Sequence, residues 1–171
     1  MDALSFARTA LKNAHQAFIG TVADLTTEDV HYIPAGQAHP IGSRYAHQII
    51  AEDAQIHFLL QGKPPLSETT FKGKTGISDT TFRQSLEWAR AVKIDLPALH
   101  NYRDAVFAAS EKYLESLGDA DLGRMIDLSA INYPAVPLSI FLSEYIIGHV
   151  HDVMGEISAT KGLLGKKGYP F

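Results

Sequence analysis

Residues 138–157 read LSIFLSEYIIGHVHDVMGEI, and this stretch decides the fold. Its first half, residues 138–147, is apolar on nearly every face of a helix, and Pro137 stands where a helix starts. We extend this helix to about Leu164. A helix that is apolar all round lies at the centre of a protein or is covered on its outer side by another subunit. The stretch therefore predicts a helical core and a homodimer.

Two more apolar stripes with helical spacing lie earlier in the chain. The first consists of Leu4, Ala7, Leu11, Ala14, Phe18, Val22 and Leu25. The second consists of Leu99, Tyr102, Val106, Ala109, Tyr113 and Leu117. Asp95 with Pro97 in the first turn predicts the start of the second stripe, and Gly118 predicts its end.

Two further helices are predicted from start and stop signals. Ser43 is a candidate cap for a helix that runs to about Leu60. Ser78 is a candidate cap for a shorter helix over Asp79 to Val92, which holds Phe82, Leu86 and Trp88. Loops are predicted over residues 30–42 and 62–78, and residues 119–137 are irregular or hold a short strand within Met125 to Leu128. These elements predict an all-α fold, a four-helix bundle with one additional short helix, in a single domain over residues 1–171.

Composition excludes several classes of function. The formal net charge of -4 argues against nucleic-acid binding. The chain has no cysteine, which excludes a disulfide scaffold and a thiolate zinc site. The longest uncharged apolar stretch, Leu128 to Ser143, contains two prolines and is too short to span a membrane. We therefore expect a cytoplasmic protein without membrane contact.

The eight histidines carry the candidate chemistry. We expect most of them to be surface or satisfied polar residues, namely His15, His31, His39, His57 and His100. His47 lies in the first turns of the second long helix, and His149 and His151 lie within the apolar last helix. Neutral imidazole binds zinc, nickel, iron or copper, and a catalytic site commonly has three protein ligands.

Spacing limits how many ligands the last helix can supply. His149 and His151 are two residues apart and diverge by roughly 200° around a helix. Asp152, three residues after His149, is a candidate carboxylate ligand. A core histidine that is hydrogen-bonded to a neighbour explains His149 equally well from the residues alone. The carboxylates Glu52 and Asp53 are adjacent, which favours a solvated helix face.

Three stretches of the chain resemble the DinB/YfiT-like superfamily. They are residues 41–47, with His47; residues 113–122; and residues 148–157, with Gly155-Glu156 after His149. The resemblance implies a helical bundle that binds a divalent metal, zinc or nickel, through His47, His149 and a second histidine in the last helix. That second histidine falls at Val153 in this chain. Asp152 or His151 is then the alternative third ligand.

The resemblance implies two alternative functions, and it assigns no catalytic residue. One is a metal-dependent hydrolase or thiol S-transferase with an incomplete histidine site and a small-molecule substrate in a cleft between helices. The other is a metal-independent bundle, without catalysis, that binds a small ligand or forms a dimer. The two matched histidines, His47 and His149, motivate the first, and the missing histidine at Val153 together with the apolar segment 138–147 motivates the second.

Overall fold

The computed structural model describes residues 2–81 and 85–171. Its helices are α1 (Ala3–Val22), α2 (Thr27–His31), α3 (Ile41–Asp53), α4 (Leu86–Ala91), α5 (Leu96–Glu115), α6 (Leu138–Ile140) and α7 (His149–Leu163). A π-helical segment, Ala54–Leu59, extends α3, and a second, Phe141–Gly148, joins α6 to α7. Short 3-10 turns cover Leu66–Glu68, Asp119–Gly123 and Ser129–Ile131.

The long helices pack as a four-helix bundle, which confirms the predicted fold class. Helix α1 packs against α5 and α7, and α3 packs against the same two helices, so α1 and α3 occupy opposite corners. A two-stranded antiparallel sheet pairs β1 (Met125–Ile126) with β2 (Val136–Pro137) before the last helix. The strand predicted within Met125 to Leu128 is therefore present. Among the described residues, no helix is long and apolar enough to cross a membrane.

Helix starts follow local capping chemistry, although two predicted caps are wrong. The Asp95 carboxylate accepts a hydrogen bond from the Ala98 amide and starts α5, as predicted. Helix α3 begins at Ile41 instead of after Ser43, whose hydroxyl donates to the Pro40 carbonyl at 2.7 Å. Pro40 thus leads directly into the helix, and Ser43 belongs to its first turn.

The additional short helix is present but begins later than predicted. Helix α4 starts at Leu86 because the Ser85 side chain accepts from the Trp88 amide. Ser78 instead accepts from the Lys93 amide at 2.8 Å. The predicted helix also included Phe82, which lies outside the described residues. A second short helix, α2, was not predicted; it is fixed by a capping box between Thr26 and Asp29.

The most deeply buried helix is α3. Every residue from Tyr45 to Asp53 is buried, because α5 and α7 flank the helix and α2, α4 and the Leu66–Glu68 turn also pack on it. Of the two alternatives for the last helix, a central position is not seen in the single chain, and cover by another subunit stays a prediction. That helix occupies a corner of the bundle, and Ile140 on its outer side is 38% exposed.

The apolar core consists of two clusters that are separated along the helices. One includes Phe18, Tyr45 and Val106, and the other includes Leu11, Leu114 and Phe141. Helices α1, α3 and α5 each carry buried polar side chains between their contributions to the two clusters: His15, Glu52 and Ser110. We call these three residues the polar layer. The candidate site lies beside it.

Candidate functional site: a histidine pair beside a buried polar layer

His47 on α3 and His149 at the start of α7 face each other across the helix interface. Their Nε2 atoms are 3.1 Å apart, and the two rings meet edge to face with an interplanar angle of 68°. His47 is 2% exposed, and His149 is half-buried. The structure thus brings together the two histidines that the resemblance indicated.

Both π-helical segments adjoin the polar interior of the bundle. The segment Ala54–Leu59 begins directly after Asp53, and the segment Phe141–Gly148 ends directly before His149. The His149 amide donates to the Glu144 carbonyl five residues earlier, which is π-helical spacing. Such segments are rare and often mark functional sites, because the wider turn changes the register of the side chains that follow. Here His149 is the first residue after such a segment.

Burial and a nearby cation keep both imidazoles neutral. Burial, followed by the charges of Arg44 and His149, lowers the pKa of His47 to about 3. Burial and then Arg44 likewise lower the pKa of His149. At neutral pH, one imidazole N–H therefore donates to the lone pair of the other ring. A neutral imidazole is the form that coordinates a metal.

The other two predicted ligands lie at the surface of α7, and the charge of Asp152 still acts on His149. His151 and Asp152 are both exposed on α7, and His151 faces away from His149 as its two-residue spacing predicts. Val153, four residues after His149 and on the same side of the helix, is 1% exposed. Within residues 2–81 and 85–171, no group of three His, Asp or Glu side chains is placed to hold a metal ion. Of the predicted ligands, His47 and His149 are the two whose ring nitrogens the fold brings within 3.1 Å of each other.

Glu52 is the centre of the polar layer. It is fully buried and accepts hydrogen bonds from Ser110 at 2.5 Å and from Gln48 at 3.0 Å. His15 Nε2 lies 3.0 Å from the same carboxylate, and His15 Nδ1 lies 3.0 Å from Glu111. Burial opposes protonation of His15, but the charges and hydrogen bonds of Glu52 and Glu111 outweigh it and raise its pKa.

The Asp53 carboxylate binds the loop that contains Leu66 and Ser67 and holds it against the bundle. Its carboxylate accepts from the amides of Leu66 and Ser67 at 2.8 and 2.9 Å, and from the Tyr102 hydroxyl at 2.5 Å. His57 Nδ1 lies 2.8 Å from the same carboxylate. Burial alone would raise the pKa of Asp53, but these hydrogen bonds outweigh it and lower the pKa.

The sequence interpretation of these residues differs from the structure in two places. The adjacent pair Glu52 and Asp53 was expected on a solvated face, yet both side chains are fully buried. They point in different directions, and each meets partners on other helices or loops. His15 was expected to be a surface or satisfied polar residue; it is satisfied by Glu52 and Glu111, but it is 1% exposed and stacks on Phe107 with ring centroids 3.7 Å apart. Its position four residues after Leu11 and three before Phe18 was the available signal.

We expect acid to destabilise the fold through His47. Its folded pKa of about 3 lies below the unfolded value of 6.5, so the unfolded chain binds more protons between these pH values. Stability is therefore full above pH 6.5 and falls as the pH drops toward 3. By about pH 5 the loss from this group is roughly 2 kcal/mol. Urea unfolding at pH 7 and pH 5 should show that His47→Gln loses correspondingly less stability than the wild type. An equal loss in both proteins would contradict the prediction.

Comparisons with known proteins identify the family and the fold. The chain matches the family model of the DinB superfamily over residues 10–150, a range that includes both His47 and His149. Its structure is similar to the crystal structure of a conserved protein from Enterococcus faecalis, with a TM-score of 0.79 and 24% sequence identity; the match covers 97% of this chain and 99% of that one. No curated protein matches the chain. The likeness to the Enterococcus protein shows a shared fold, and because the family match covers most of the sequence, this chain belongs to the DinB superfamily.

Proposed function

We propose that this protein is a metal-dependent enzyme, a hydrolase or thiol S-transferase, that binds one divalent cation, zinc or nickel, through His47 and His149. The observation that carries the proposal is the 3.1 Å separation of the two Nε2 atoms. Two nitrogen ligands of one tetrahedral zinc lie roughly 3.3 Å apart, given Zn–N bonds of about 2.0–2.1 Å. The imidazoles therefore need little movement to share an ion.

The state of the two side chains supports the same proposal. The lowered pKa of each ring keeps it neutral, so binding a cation displaces no tightly held proton. Both rings are held by packing between α3 and α7, which reduces the entropy lost on coordination. When bound, a divalent cation supplies Lewis acidity that activates water or a thiol.

The donor set fits a weakly held cation. Two imidazoles leave at least two positions for solvent or substrate, whereas catalytic zinc sites commonly have three protein ligands. Val153 takes the place where the family has a second histidine in this helix, and Arg44 places a positive charge near both rings. We therefore propose affinity in the micromolar range, with a small-molecule substrate that completes the coordination.

Metal titration tests the proposal directly. Isothermal titration of the purified protein with zinc and with nickel should show one site, which His47→Ala and His149→Ala each remove. His151→Ala is the matched control, because this side chain is exposed and lies on the other side of α7 from His149, and it should leave the affinity unchanged. Absence of zinc and nickel binding at micromolar concentration in the wild type would exclude the metal-dependent proposal and favour a metal-independent bundle.

A gain-of-ligand variant tests the position of the site. Val153→His places a third imidazole one helical turn after His149. We expect zinc affinity to rise by about tenfold to a hundredfold, which is a small part of the total free energy of such sites. Because Val153 is buried, a melting curve should accompany the titration. A folded Val153→His protein with unchanged affinity would show that position 153 does not face the site.

A further inference from the structure

A charged cluster lies next to the histidine pair on the same two helices. Arg44 precedes His47 by three residues on α3, and Glu156 follows His149 by seven residues on α7, so each lies on the same side of its helix as the histidine. Arg44 and Glu156 form an ion pair. The cluster borders an open cavity of about 360 Å³ lined by Gln37, Ala38, His39, Arg44, Glu156 and Thr160.

Arg44 is held in place more firmly than its carboxylate partner. The Arg44 side chain is 12% exposed, and its Nη1 lies 3.1 Å from His39 Nδ1. Burial, followed by the charge of Arg44, lowers the pKa of His39, so the ring is neutral and accepts a hydrogen bond from the guanidinium. The Glu156 side chain, in contrast, is 54% exposed. An ion pair with so exposed a partner costs little to open.

The charge of Arg44 reaches the histidine pair. It contributes to the lowered pKa of both His47 and His149. Arg44 also lies one helical turn before His47 on the same side of α3, so a ligand with an anionic group on Arg44 lies on the side of the helix that carries His47. This proximity connects the cavity to the candidate site.

We propose that Arg44 is a specificity-determining residue that binds a carboxylate group of the substrate, with Glu156 as the exchangeable carboxylate that occupies its place in the free protein. The inference rests on the proposed function, because it assigns the substrate class of the same site. A carboxylate is favoured because the guanidinium already binds one, that of Glu156, and because its planar fork matches a carboxylate in shape.

The test uses propionate as the carboxylate probe, propan-1-ol as its uncharged counterpart and inorganic phosphate as the competing anion. Binding to the metal-free protein is followed by the NMR shifts of histidine ring protons. We expect propionate, and not propan-1-ol, to shift the signals of His39, His47 and His149. Propionate should bind more tightly than phosphate. Phosphate binding more tightly than propionate would overturn the carboxylate assignment.

Variants assign the binding to Arg44. Arg44→Met should weaken propionate binding by about tenfold or more, since a charge-assisted bond is lost. Glu156→Gln removes the competing carboxylate and should tighten binding by roughly two- to fivefold. Arg124→Met, which removes an exposed arginine that bonds to Tyr113, is the matched control. Unchanged propionate affinity in folded Arg44→Met, or weaker affinity in Glu156→Gln, would overturn the proposal.

Zinc titration of the same variants separates this inference from the proposed function. Arg44→Met should retain zinc binding, and removal of the positive charge should strengthen it slightly. Propionate binding that depends on Arg44 in a protein that binds no zinc would contradict the metal site and leave the carboxylate site intact. Zinc binding without any propionate response would support the metal site and contradict the carboxylate site.

Discussion

Replacing Glu52 with alanine is expected to lower the free energy of unfolding by about 3–5 kcal/mol, because it leaves buried partners without their shared acceptor. His15 loses the carboxylate that raises its pKa, and Ser110 and Gln48 lose a hydrogen bond each. Because these residues come from α1, α5 and α3, the loss loosens the bundle at the level where the two apolar clusters meet. Urea unfolding followed by circular dichroism measures the effect.

The pH dependence of this variant identifies the mechanism. The raised pKa of His15 means that its ion pair with Glu52 is fully present below pH 6.5 and is lost as the pH rises through the folded pKa. The destabilisation caused by Glu52→Ala should therefore shrink as the pH rises through that value. Glu115→Ala, at an exposed position of α5, is the matched control and should change stability by less than about 0.5 kcal/mol. A similarly small effect in Glu52→Ala would mean that the polar layer is solvated.

Replacing Asp53 with alanine is expected to lower the free energy of unfolding by a similar amount, about 3–5 kcal/mol. It should also release the loop that contains Leu66 and Ser67. The substitution removes the acceptor of the Leu66 and Ser67 amides and of the Tyr102 hydroxyl. Hydrogen exchange should accelerate at these two amides more than at amides in the centre of α5. Asp53→Asn keeps one carbonyl acceptor, so its free energy of unfolding and its exchange rates at these amides should lie between those of the wild type and of the alanine variant. Normal protection of both amides in Asp53→Ala would show that the loop is held by other contacts.

Elements with strong local signals were predictable from the sequence. Helix α5 begins at Asp95 and has Pro97 in its first turn, as the capping pattern indicates. The stripe of α1 buries Leu4, Leu11, Ala14, Phe18 and Val22, as its spacing predicts. These features depend on residues within a few positions of one another, so the sequence carries them directly.

Residues whose contacts come from other helices could not be predicted from local patterns. His15 and Glu52 lie 37 positions apart, and each is an ordinary polar residue on its own helix. Only the packing of α1, α3 and α5 brings these two side chains together, and their contact offsets the free-energy cost of burying each one. The capping box at Thr26 and Asp29 was different: its signal is local, and the sequence interpretation missed it.

The sequence by itself determined the helical class, the bundle and the identity of His47 and His149 as candidate ligands, because hydrophobic spacing and a short motif are properties of neighbouring residues. The tertiary structure makes α3 the most deeply buried helix and brings the Nε2 atoms of the two imidazoles to 3.1 Å from each other. It also decided that Glu52 and Asp53 are buried and that Arg44 stands beside the pair. Each of these depends on contacts between distant segments, and the free energy of a buried polar group is set by the partners that the fold brings to it.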